Sequence, residues 1–144
     1  MANPLPLIPL ADVVRRIYEE CPSFASVQHA ITSGGQDALP SALVSPVRYI
    51  ADPPPQMTGF IMQPVRMMVG VFIQVDREQD PYPDYPLATL LDVLQAEVRG
   101  ALVGWVAPGA DLPFDYVGGE LAPYKNDGPA IWREDFATAT EIRR

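Results

Sequence analysis

The two residue types that most often carry nucleophilic and metal chemistry occur once each in this sequence, as Cys21 and His29. A thiolate activated by an imidazole needs both groups within hydrogen-bond reach and a third group to orient the base. Cys21 and His29 lie on either side of a turn around Pro22, and nothing marks an orienting third group, so a buried structural thiol and an ordinary strand histidine are the expectation. A single cysteine also excludes an internal disulfide and a cysteine-based zinc cage.

Carboxylates are more plentiful. Asp76, Glu78, Asp80 and Asp84 have spacing that faintly suggests a calcium loop. Such a loop starting at Asp76 needs glycine at its sixth position and glutamate at its twelfth, where this chain has Pro81 and Leu87, so a solvated acidic loop is expected instead. Glu134 and Asp135 are adjacent; in a strand they point to opposite faces and cannot flank one bond as an acid/base pair. Neither a GxxxxGK[ST] loop nor a GxGxxG fingerprint is present, and Gly34/Gly35 and Gly118/Gly119 stand alone, so phosphate cradling has no support. No catalytic, cofactor-binding or metal-ligating residue is assigned.

Composition fits this absence of chemistry. A chain of 144 residues suits one domain, and 48% hydrophobic against 19% charged residues is enough to form a core. Seventeen prolines and ten glycines stay below the roughly 25–30% that suggests disorder, and they predict short elements joined by stiff loops. Ten basic residues against eighteen acidic ones give a net charge of −8, without the cationic stripe that nucleic-acid phosphates require. The best apolar run, from Gly100 to Ala110, is about half the ~20 residues of a membrane span and holds Pro108. The start, MANPLPLIPL, lacks the positive segment of a signal peptide, so the chain is expected to stay in the cytoplasm of the cell that makes it.

Leu10, Val13, Val14, Ile17, Tyr18 and Cys21 follow helical spacing, with Pro9 suited to the first turn, Asp12 complementing the helix dipole and Pro22 ending the helix. Phe24 to Ile31 reads as a short strand closed by the turn 32–35. Ala42 to Ile50 reads as another, which Pro46 confines to an edge or a bulge. After the stiff break Asp52–Pro55, the clearest strand places Val65, Met67, Val69, Val71, Ile73 and Val75 on one face. Its other face mixes polar and large apolar residues, which predicts cover from a helix or a neighbouring subunit. A second proline-rich loop leads to a helix over Leu87–Leu102, with Asp92, Gln95 and Arg99 outward and Gly104 as its left-handed stop. Phe114, Tyr116 and Val117 suggest a short strand ending at Gly118 and Gly119. A final strand over Ile131–Arg143 follows the turn Asn126-Asp127-Gly128. Trp105, Trp132 and Phe136 are expected in the core. The order predicts one α+β domain over residues 1–144, an antiparallel or mixed sheet with two main helices packed on it.

The carboxy-terminal half carries a family resemblance. A long alternating strand, an amphipathic helix, Leu102-Val103-Gly104-Trp105-Val106-Ala107-Pro108, then Gly118-Gly119-Glu120-Leu121 and Trp132-Arg133-Glu134-Asp135-Phe136 together resemble the phage tail terminator proteins, over roughly Gln63–Arg144. The amino-terminal half matches only in general order. The resemblance implies a structural virion protein without catalysis or cofactor: a homohexameric ring that caps the tail tube, stops its polymerisation and meets head-completion (neck) proteins. It implies a place at the head-proximal end of the tail, assembly in the host cytoplasm, and genomic DNA passing through the lumen without specific binding. An acidic lumen would suit that passage, because like charges repel.

Met57, Phe60 and Met62 beside the first proline loop, and Tyr82 and Tyr85 in the second, are candidate contacts to subunits or partners. The competing reading packs them in the subunit's own core. Two other functions stay in view: a neck or head-completion connector of the same kind of phage, and a small-molecule-binding or hydrolytic α+β domain in which Asp76, Glu78 or His29 would be sensitive to substitution.

Overall fold

The computed structural model describes residues 7–31, 38–53, 62–76, 87–122 and 128–143. Two helices, α1 (Leu10–Glu20) and α2 (Leu87–Leu102), accompany five strands: β1 (Ser26–His29), β2 (Ser41–Ala51), β3 (Met62–Val75), β4 (Asp115–Leu121) and β5 (Ala130–Arg143). The strands form one mixed sheet in the order β1-β2-β3-β5-β4. β1 runs parallel to β2 and every other pair is antiparallel. The fold is therefore α+β, as the sequence predicts.

β3 sits at the centre because it is the strand with an unbroken apolar face. Val65, Met67, Val69, Val71, Ile73 and Val75 are all buried, and α2 lies over them with Leu90, Leu94, Val98, Ala101 and Leu102. α1 packs against α2, β1 and β2, and contributes Val13 and Ile17. Along its row Leu10–Val14–Tyr18 burial declines, and Tyr18, expected in the stripe, is 71% exposed because the row forms the outer margin of the helix. Conversely Gln95 of α2, expected outward, is buried, since α2 is covered by the sheet on one flank and by α1 on another. Pro9 is the residue before the first turn rather than in it; its carbonyl accepts the Asp12 N–H at 3.1 Å.

Gly104 ends α2 in the left-handed conformation, φ +84°, and donates its N–H to the Phe114 carbonyl. Arg16 of α1 then caps that end: its Nε donates to the Ala101 carbonyl at 2.9 Å while its guanidinium lies over the Trp105 ring. Gly109, φ +88°, leaves no room for a side chain, since a Cβ would stand 2.8 Å from the Leu7 carbonyl oxygen. The buried hydroxyls of Thr138 and Thr140 donate to the Leu112 and Gly109 carbonyls, so β5 holds the segment between α2 and β4 by hydrogen bonds as well as by packing on Phe114.

β4 does not stop at Gly118 and Gly119 but runs through both to Leu121. Gly119 is required there because the Trp132 ring occupies the space its Cβ would take, at 2.9 Å. Beneath this strand lies a buried carboxylate. Glu134, fully enclosed, receives Arg99 of α2 at 2.7 Å and the Trp132 indole N–H at 2.6 Å. Arg99 also reaches the Tyr116 hydroxyl and stacks over its ring, so one carboxylate ties α2, β4 and β5 together. Sequence alternation places Glu134 and Asp135 on opposite faces, and they do face opposite ways: Asp135 pairs with Arg133 at 2.7 Å on the side away from the helices.

Cys21 is buried at the end of α1 among core residues. Burial, followed by the nearby carboxylates Glu97 and Glu20, pushes its thiol up to about 12.

Two outcomes are expected from these packing facts. Glu134→Ala leaves the Trp132 donor and the Arg99 guanidinium without their acceptor and should cost about 2–4 kcal/mol, seen as a fall in Tm of roughly 5–15 °C by calorimetry, with Glu134→Gln recovering part of the loss. The Cys21 thiol should resist Ellman's reagent at pH 8 in the folded chain and react fully once denatured; rapid reaction in the native state would contradict its enclosure.

Candidate assembly surface

The helices cover one face of the sheet. On the other, among the described residues, no helix lies over Leu43, Val47, Met68, Phe72 and Ile131, all of them half-buried, and charge is interspersed between them. Alternation along β3 builds this face, since Arg66, Met68, Gly70, Phe72 and Gln74 stand opposite its buried set. Gly70 is small because Val47 and Asp135 close over it; a Cβ there would stand 2.9 Å from the Val47 side chain. Arg133 lies over the Phe72 ring, bonds Asp135 and reaches Glu120 at 3.9 Å. Arg48 and Arg66 are exposed on the same face and form no ion pair with a described residue.

The sheet's edges are also open. β4 is exposed along almost its whole length, with Tyr116, Val117 and Leu121 between 41% and 62% exposed. At the opposite side β1 covers β2 only from Ser41 to Val44, so Ser45–Ala51 has no strand partner on its outer side among the described residues. Pro46 lies in that stretch, and the pairing with β3 shifts register between Pro46 and Arg48. The expectation of an edge or a bulge is thus met in both senses: β2 is an inner strand at its start and an edge strand, bulged, at its end.

Among the described residues the electrostatics add no reactive group. The Glu134 carboxylate, chiefly by hydrogen bonding, raises the Arg99 guanidinium further above its ordinary range; burial and then Glu134 raise the Tyr116 phenol. Asp135 does the same to Arg133 as Glu134 does to Arg99. These shifts hold each group in the protonation state it already has at neutral pH. Cys21 is a protonated, enclosed thiol, and the His29 Nδ1 accepts the Ile31 N–H within its own turn at 3.1 Å. No group of histidine, cysteine and carboxylate side chains among the described residues is placed to hold a metal ion. A shallow trough of about 270 Å³ runs on the open face beside β4, between Arg66, Leu112, Pro113, Asp115, Val117 and Ala137. It is smaller than the roughly 300–1,000 Å³ of enclosing ligand sites, and its lining includes no activated nucleophile or base. No described helix is long and apolar enough to cross a membrane.

Of the contact candidates, Met62 is the first residue of β3, half-buried and paired with Arg143 of β5. Met57, Phe60, Tyr82 and Tyr85 lie outside the described residues, as do Glu78, Asp80 and Asp84. Phe136 is fully buried, and Trp105 and Trp132 are half-buried and packed against the core, Trp105 under the Arg16 guanidinium and Trp132 donating to Glu134. Sequence reasoning missed the exposed edge residues Arg48, Tyr49, Ile50, Glu120 and Leu121. The available signal was the loss of alternation after Pro46 and the Gly118-Gly119 pair, both marks of a sheet margin.

No curated protein matches the chain. A family described as phage tail terminator protein matches residues 2–144, including the amino-terminal half that the resemblance covers only in general order. With essentially its whole length matched, this chain belongs to the phage tail terminator protein family, and it is a structural protein of the phage tail.

Proposed function

We propose that the protein is the terminator subunit itself: six copies close into a ring that caps the tail tube, stops its polymerisation and presents its far side to head-completion proteins. The family match carries this reading. The architecture supports it, since among the described residues one sheet face without a helix and two open edges give the subunit surfaces that neighbours would cover. The chain acts by occupying space rather than by turning over a substrate, consistent with the protonated Cys21 and the small, shallow trough. In this role it resides at the head-proximal end of the virion tail after assembly in the host cytoplasm. DNA passes through the ring without being held, in keeping with a net charge of −8.

Adding the purified chain to polymerising tail tube protein should shorten the tubes, and negative-stain microscopy should show an extra ring at one end. Native mass spectrometry should reveal a six-fold species near ~95 kDa, six times 15.8 kDa, alone or on short tubes. Tubes of unchanged length with the chain unbound would reject capping. Binding to head-completion protein in that case would establish a neck connector instead.

A further inference from the structure

We propose that neighbouring copies join by strand pairing, β4 of one subunit adding antiparallel to the outer edge of β2 of the next, with Glu120 opposite Arg48, Gly119 opposite Tyr49 and Gly118 opposite Ile50. The proposal rests on the ring reading and specifies the contact that closes it.

Four observations converge on this pairing. First, the two open edges lie at opposite sides of one sheet, and their directions fit. Within a subunit β2 and β5 run one way while β3 and β4 run the other, so a copy placed alongside in the same orientation brings its β2 antiparallel to β4. No subunit has to be turned over, which is the condition for a head-to-tail contact that closes into a ring.

Second, the irregularities bound the register. Pro46 has no N–H to donate and the bulge follows it, so regular pairing on β2 begins at Arg48; the shift between Tyr116 and Gly118 makes regular pairing on β4 begin at Gly118. Third, faces match in this register. Arg48 and Ile50 share the helix-free face with Gly118 and Glu120, because they stand opposite Met68 and Arg66 on β3, as Gly118 and Glu120 stand opposite Asp135 and Arg133 on β5. Tyr49 and Gly119 share the other face.

Fourth, the side chains are complementary. Tyr49 is 51% and Ile50 36% exposed; Ile50 would lie against Gly118, a large side chain shielding a strand glycine being a stabilising pair, and Tyr49 would lie beside the Trp132 ring that covers Gly119. No atom stands within 4 Å of the Gly118 Cβ position. Arg48 forms no ion pair with a described residue, and Glu120 is held only loosely by Arg133 at 3.9 Å, so the two opposite charges are available to each other. Pairing β4 with itself would instead set glycine against glycine or Glu120 against Asp115. The register also displaces successive copies along the strand direction, from the level of Met68 to that of Phe72 on β3, and a sheet closed into a ring requires such a stagger.

The test is a charge swap read by native mass spectrometry and by tube capping. Arg48→Glu and Glu120→Arg should each weaken association about tenfold per interface while leaving Tm unchanged, and the double swap should restore ring formation. A second variant needs no charge: Ile50→Cys/Gly118→Cys should form intermolecular disulfides along the ring, visible as a ladder up to the hexamer on non-reducing gels. The enclosed Cys21 thiol does not compete. If the wild-type chain forms rings but the single swaps form them equally well and the cysteine pair stays reduced, the strand contact is wrong and the ring stands. If the wild-type chain forms no ring, alone or on tubes, the ring reading and this contact fall together.

Discussion

The whole arrangement depends on the covering of one apolar face of β3. Six consecutive alternate residues of that strand are buried, and two helices suffice for one side of a sheet only. Once α2 is laid across β3, and α1 beside it over β1 and β2, nothing remains among the described elements to cover the other side. On that second face an Arg133–Asp135 pair, Arg48 and Arg66 without an ion pair among the described residues, and modest apolar groups replace the continuous Val/Met/Ile row of the covered side.

A similar economy governs the margins of the helix layer. The end of α2 is fixed by Arg16 from α1, by Gly104 in the left-handed conformation, and by Arg99 bridging to Glu134. The buried carboxylate is tolerated because its oxygens take an arginine and an indole at charge-assisted distances. What it fixes is position: among the described strands β4 has one neighbour in the sheet, β5, and the Arg99–Tyr116 contact gives it a second attachment from the side.

The parts legible in the sequence are those where one strong local pattern decides the outcome. The alternation of β3, the helical spacing of α2 and the Gly104 stop all appear as expected, because burial and backbone geometry act there without competition. The margins are less legible. Spacing puts Tyr18 inside and Gln95 outside because it cannot tell how wide an arc the neighbours cover, and two glycines in β4 look like a turn when the Trp132 ring that demands one of them is out of view. Gly109 has the same origin, its constraint being a carbonyl more than a hundred residues away in sequence. Function was legible through combination: no motif in the sequence points to a particular reaction, so the order of elements and a few stops point to the family.

The pairing of β3 with β5 has a kinetic side. Its partners, from Val75 with Ala130 to Met62 with Arg143, are separated by α2, β4 and the loops between them. Closing so long a segment makes this central pair slow to form compared with helix contacts. β4, by contrast, comes just before β5 in sequence and, among the described strands, pairs with β5 alone, so this two-strand unit can form locally ahead of the long closure. The open margin of β4 thus reaches the sheet as part of that unit, when β5 docks on β3.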